Sequence, residues 1–183
     1  MTNHLFACVL GGTAPGAHTE LHDVAWAIAP TIEAAHDQLL DAWFGARRGL
    51  HIDAWMQLDT IAGHRIKLSD APPTNALRLY FVNLGAYAGS EFGERHANVF
   101  LAGESAAQVK AQAKQTLLQG LDTVHKDYLF AVDACLPIER VAGRHIHVTP
   151  DATAKAPTVV SGYQPLPKAV VDAWLARHPD IHA

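Results

Sequence analysis

Glu20-Leu21-His22 and His51-Ile52-Asp53 set two imidazoles and two carboxylates at a spacing of two, in segments that read as strand. Side chains at i and i+2 of a strand leave the same face, so each triplet presents one nitrogen and one oxygen donor together. Such donors suit a divalent ion, Zn, Fe, Mn or Ni, at ligand distances of about 2.0–2.2 Å. Without a metal the same groups make an acid/base pair, with the histidine oriented by its carboxylate. A third reading is structural: a histidine bonded to a carboxylate on the next strand pins register, for about 0.5–3 kcal/mol. No known ligand signature such as His-Glu-x-x-His is matched. Residue types alone leave all three open.

The constellation is written twice. Leu5-Phe6-Ala7-Cys8-Val9-Leu10-Gly11 meets Leu79-Tyr80-Phe81-Val82-Asn83-Leu84-Gly85 at an offset of 74 (79 − 5), and Glu20-Leu21-His22 meets Glu94-Arg95-His96. Continuing that offset pairs His51-Ile52-Asp53 with His125-Lys126-Asp127 and Asp59 with Asp133. A six-residue insertion then moves the offset to 80, aligning Ala62-Gly63-His64 with Ala142-Gly143-Arg144. On this alignment the metal ligands are Glu20, His22, His51 and Asp53 in the first copy, and Glu94, His96, His125 and Asp127 in the second. Retention in both copies leans toward the structural reading, because a duplicated active site commonly decays in one copy. Gly11, Gly12 and Gly85 close the first strand of each copy and are candidate ligand-contact positions. The run Gly11–Gly16 looks like a phosphate-cradling loop, but such loops lead into a helix and here a strand follows.

Each copy reads strand, long loop, strand, helix, strand, turn, strand. The Ile52, Ala54, Met56, Leu58 phase alternates against Asp53, Trp55 and Gln57, which puts His51 and Asp53 on the face away from the helix. His22 is in phase with Val24, Trp26 and Ile28, so that strand either opens with a bulge or has a covered outer face. Thr31 and Ser105 are candidate N-caps, and Ile32, Ala35, Leu39, Ala42 and Trp43 form a helical stripe ending at Gly45. Pro167 suits a helix start, with Val170, Val171, Trp174 and Leu175 as one apolar stripe needing a partner surface. Residues from Pro150 to that helix read as an exposed connector.

This order predicts an α+β protein: two tandem β-grasp-like (ββαββ) repeats, 1–70 and 77–150, each with a helix across one face of a mixed sheet. A linker, 71–76, joins them, and a connector and C-terminal helix occupy 151–183. Copies of about 70 residues bury only about 60% of their unfolded surface, so they are expected to pack across a pseudo-two-fold, as a fused homodimer would. The net charge of −4 and the lack of clustered Lys and Arg argue against a nucleic-acid partner. Two cysteines cannot make a disulfide framework. No run approaches about 18 apolar residues and no secretory leader is seen, so the expected location is cytoplasmic.

Leu5-Phe6, Leu10-Gly11-Gly12-Thr13, Pro15-Gly16, Glu20, His22-Asp23-Val24 and His51-Ile52-Asp53-Ala54-Trp55 together resemble the bacterial family known as domain of unknown function 1543. In the second copy, Leu79–Tyr87 with Glu91-Phe92-Gly93-Glu94 and His96 resembles that family's other block. The likeness spans about residues 4–150. It implies a β-grasp-like roll and brings no established activity. Ala86 departs from a glycine often found there, and Lys126 from the apolar type of Ile52. Two functions stand on these grounds. One is a small-ligand or divalent-metal protein, hydrolytic or isomerising if it is an enzyme; the other is a non-catalytic scaffold acting as a homodimer or larger homo-oligomer.

Overall fold

The computed structural model describes residues 2–87, 92–119 and 131–181. They form an α+β protein of antiparallel sheets with three α-helices among the described residues. The chain divides into two compact units, residues 1–59 with 157–183, and residues 60–156.

The first unit holds β1 (His4–Gly12), β2 (Leu21–Ala29), a 3-10 turn (Glu33–Ala35) running into α1 (His36–Ala42), and β3 (His51–Gln57). After β3 the chain enters the second unit through β4 (Thr60–Ile61), β5 (His64–Ser69), β6 (Arg78–Tyr87), β7 (Glu94–Gly103) and α2 (Ala106–Gln119). There it continues into β8 (Ala131–Ile138), β9 (Arg140–Val141) and β10 (Arg144–Pro150). It then returns to the first unit as β11 (Val159–Pro165) and α3 (Lys168–Arg177).

In the first unit the sheet order is β11-β3-β1-β2. Phe6, Cys8, Leu10, Ala25, Ala27, Ala29 and Ile52 make its helix-facing side and bury against Ala35, Leu39, Leu40 and Trp43. Burial pushes the Cys8 thiol up to about 12, so it behaves as a small apolar side chain. Gln38 ties the helix to the sheet: its amide accepts from Ile28 N at 3.0 Å and donates to Ile28 O at 2.8 Å. The C-terminal stripe finds its partner here. Val171 and Trp174 of α3 join the same core, Trp174 Nε1 donates to Asp41 at 2.8 Å, and Arg177 pairs with Asp37 at 2.6 Å.

In the second unit β7-β6-β8 form a sheet whose Tyr80, Val82 and Leu84 pack against Val109 and Ala113 of α2. Ser105 caps that helix as expected, its Oγ accepting from Gln108 N at 3.3 Å. The two short hairpins join into one sheet, β4-β5-β10-β9. Its register sets Lys67 opposite His147, which is its own counterpart at the offset of 80 (147 − 67). That register is what a local two-fold through the pair produces. Gly63 and Gly143 turn the hairpins at φ 76° and 81°, a region glycine enters without strain.

Three expectations change. Every ladder among the described residues is antiparallel, so the mixed sheet of a β-grasp roll is not what these strands build. The fourth strand of each copy leaves its own sheet to pair with the other hairpin. The segment after Pro150 is no mere connector, because β11 adds an edge strand to β3. Its β-branched and aromatic residues, Val159, Val160 and Tyr163, were the available signal.

The third change concerns alignment. Gly11 pairs with His22 and His51, while Gly85 pairs with His96 and Ala131. The offset is therefore 74 in the second strand (96 − 22) and already 80 in the third (131 − 51). Both third strands also bulge at one place: between Val9 and Leu10 the partner gains Asp53, and between Asn83 and Leu84 it gains Asp133. The extra six residues thus fall between β7 and β8, and Asp53 corresponds to Asp133, as Asp59 does not. The ungapped comparison slid past this because His125-Lys126-Asp127 offers the same residue types six places early.

Candidate metal centre

β1 runs down the middle of the first unit's sheet with β2 on one side and β3 on the other. Gly11 sits on it directly between His22 and His51. Residues paired across a ladder share a face, so both imidazoles rise from the side opposite Cys8, Leu10 and Ile52. The β1–β2 ladder is continuous through His22; the irregularity lies in β3 instead. Its bulge at Asp53 inserts one extra residue, which re-aims the carboxylate toward the histidines.

The resulting distances are short. His51 Nε2 lies 2.9 Å from Glu20 Oε1 and 3.4 Å from Asp53 Oδ1. His22 Nε2 lies 3.1 Å from Asp53 Oδ2 and 4.0 Å from Glu20 Oε2. Donor atoms of Glu20, His22 and His51 all fall within 4.8 Å of one another. An ion with ligands at about 2.1 Å keeps neighbouring donors roughly 3.0 Å apart in an octahedron and roughly 3.4 Å apart in a tetrahedron. The three shorter separations fall close to this range.

Orientation is set from below. His51 is buried, and its Nδ1 lies 3.1 Å from Gly49 O, a carbonyl that can only accept. With Nδ1 facing Gly49 O, Nε2 is the ring nitrogen left to face Glu20 and Asp53. Gly11 supplies the room: a Cβ there would lie 2.3 Å from His51 Nε2 and 2.9 Å from Asp53 Oδ2. Gly12 plays a different part, meeting the Trp43 ring on the opposite face, with a Cβ 3.0 Å from it.

In the second copy Glu94 and His96 again approach, with Nε2 to Oε2 at 3.6 Å. Gly85 holds the place of Gly11, and Ala131 that of His51. His125 and Asp127 lie outside the described residues. Sequence reasoning missed two contributors to the first site, the Gly49 carbonyl and Tyr163. The Tyr163 ring lies 4.4 Å from that of His51, tilted by 43°. Neither is visible as a motif: one is backbone, and the other lies outside the duplication.

No helix among the described residues is long and apolar enough to cross a membrane. No curated protein matches the chain. Among solved structures, the crystal structure of a protein Il1583 from Idiomarina loihiensis is similar, with a TM-score of 0.72 and 30% sequence identity. That likeness covers 91% of this chain and 100% of the other. The family model Domain of Unknown Function (DUF1543) matches two stretches, residues 17–68 and 91–139, the first containing Glu20, His22, His51 and Asp53. The chain belongs to the DUF1543 family.

Proposed function

We propose that this chain binds one divalent transition-metal ion through Glu20, His22 and His51, with Asp53 as fourth donor or as bridge to His22. The observation that carries the reading is the convergence of donor atoms of Glu20, His22 and His51 within 4.8 Å of one another. With Nδ1 on Gly49 O, His51 Nε2 is the nitrogen that meets Glu20 at 2.9 Å, and on this reading a shared cation joins the two. A single ion satisfies His51, His22 and both carboxylates at once. Two nitrogens and two oxygens suit Zn, Mn, Fe or Ni, and the exposed side of Glu20 and His22 leaves a position for water or an organic ligand. A metal with an open position can polarise a carbonyl or lower the pKa of bound water. That chemistry would serve a hydrolytic or isomerising enzyme.

The alternative is a metal-free network in which His51 carries a second proton. The 3.1 Å approach of His22 to Asp53 favours it, since one ion pair there and one at Glu20 would pin β2 and β3 across β1. On that reading the doubled fold is a scaffold of two sheets with hairpins exchanged, and it works through association with further copies. Elemental analysis of tag-free protein followed by calorimetric titration of the chelator-treated chain with Zn and Mn separates the two. The metal reading expects a stoichiometry of one per chain and an affinity that falls on acidification, because an imidazole must shed its proton to bind. A chain that takes up no ion at micromolar concentration leaves only the network.

A further inference from the structure

We infer that the ligand completing this centre is a small chelating molecule with a planar, unsaturated or aromatic portion, seated against Tyr163. The inference rests on the metal reading above. It comes from the strand outside the duplication.

Beside β3, β11 pairs Ser161 with Ala54 and then Gln164 with Ile52, so Gly162 and Tyr163 together face the single position of Asp53. This second bulge lies alongside the one that re-aims Asp53 itself. Gly162 has a φ of 143°, a backbone state that side-chain-bearing residues rarely adopt, which marks the kink as built into the sequence. Beyond it, Gln164 is anchored by Trp55 Nε1, which donates to its amide oxygen at 3.2 Å. The kink delivers Tyr163 onto His51. One side of the ring meets the imidazole at 4.4 Å, yet the residue remains 69% exposed. A tyrosine needed only for packing would bury more of itself; this one offers a free aromatic surface beside a candidate metal ligand.

A second exposed aromatic, Phe44, follows α1. Trp43 packs beneath Gly12, and Ala46 N donates to Thr13 O at 2.8 Å, so the segment after α1 is laid along the strand end. Phe44 projects from that segment and is 59% exposed. Its ring is held against Trp43 at 4.6 Å. No lysine or arginine is in ion-pair contact with Glu20, His22, His51 or Asp53 among the described residues. Polar recognition therefore falls to the metal, and apolar recognition to Tyr163.

The Co(II)-loaded chain provides the test, titrated with benzohydroxamate and acetohydroxamate and followed by visible absorption. Both chelate through the same two oxygens and differ by a phenyl ring against a methyl. The wild-type chain is expected to bind benzohydroxamate roughly five- to tenfold more tightly, the scale of an aromatic pair. Tyr163→Ala should erase that preference while leaving Co(II) uptake and acetohydroxamate binding unchanged, and Tyr163→Phe should keep it. Equal binding of the two probes by wild type, or a preference that survives Tyr163→Ala, overturns the inference with the metal reading intact. Failure to take up Co(II) sinks both.

Discussion

Gly11 lies between His22 and His51 in the first unit; Gly85, in the second, lies between His96 and Ala131. Around each glycine the backbone is the same, including a bulge in the third strand at Asp53 and at Asp133. The donors differ. In the first copy the imidazole of His51 is buried and oriented by a carbonyl, while the residue at its place in the second is alanine. A bulge disrupts pairing and is kept where it aims a side chain or ends a ladder. On the proposed metal reading, the second copy keeps that bulge while alanine stands where the first has His51. The comparison also changes the weight of the duplication. Retention in both copies would favour a structural role for the histidines, and the alanine opposite Gly85 removes that argument for His51.

The largest effect expected follows directly. His51→Ala should lower Zn or Mn affinity at least about a hundredfold, since it removes the oriented donor. His96→Ala should leave both affinity and the stoichiometry of one unchanged. Calorimetric titration of the two variants reads this, and equal losses would mean that the copies share one function after all.

Next in size is the glycine. A Cβ at position 11 would lie 2.3 Å from His51 Nε2, and packed strands do not yield by the ångström needed. Gly11→Ala should cost about tenfold in metal affinity by displacing the imidazole. Gly85→Ala should cost none. Far-ultraviolet circular dichroism of both variants shows whether the sheets persist. If Gly11→Ala binds as wild type does, the ion does not sit above β1.

How far this was legible depends on the kind of signal. Strand periodicity set His51 opposite Ile52, as the sheet does, but not the residues after it: the bulge at Asp53 turns Trp55 and Gln57 to the side of Cys8 and Phe6, against the phase that spacing implied. The C-terminal helix was readable too, since Val171 and Trp174 needed cover and found it in the first unit's core. What periodicity cannot carry is pairing. Whether β5 returns to its own sheet or meets β10 is decided by long-range hydrogen bonds that leave no local trace. The six-residue displacement was hidden for a related reason: His125-Lys126-Asp127 mimics the ligand triplet in type, and only the ladder shows which residues oppose Gly85. Tyr163 was missed because a bulge, set by one glycine, carries it out of phase with its neighbours.

The smallest expected effect tests whether the inequality between copies extends to their shared hairpin sheet. Each hairpin strand sends an arginine to an acid that follows the other: Arg65 reaches Asp151 at 2.7 Å, and Arg144 reaches Asp70 at 3.0 Å. Asp151 also accepts from Thr153 Oγ1 at 2.6 Å and Thr153 N at 3.0 Å, whereas the Asp70 side chain is 88% exposed. The Thr153 and Arg65 bonds favour the charged form and lower the Asp151 carboxyl from 3.8 to about 2. A carboxyl lowered on folding stabilises the folded state above its ordinary value, and that stabilisation is lost as pH falls from 3.8 toward 2. The readout is local. Gly63 N donates to Ala154 O at 3.0 Å, and Asp151 N to Gly63 O at 2.9 Å, so hydrogen exchange at these two amides reports on the turn. Asp151→Asn should reduce their protection about two- to threefold near pH 6, the modest scale of exposed pairs, with the gap from wild type closing as pH approaches 2. Asp70→Asn should leave them unchanged. A larger loss from Asp70→Asn would show that the two crossings are equivalent, and that the asymmetry is confined to the face that carries His51.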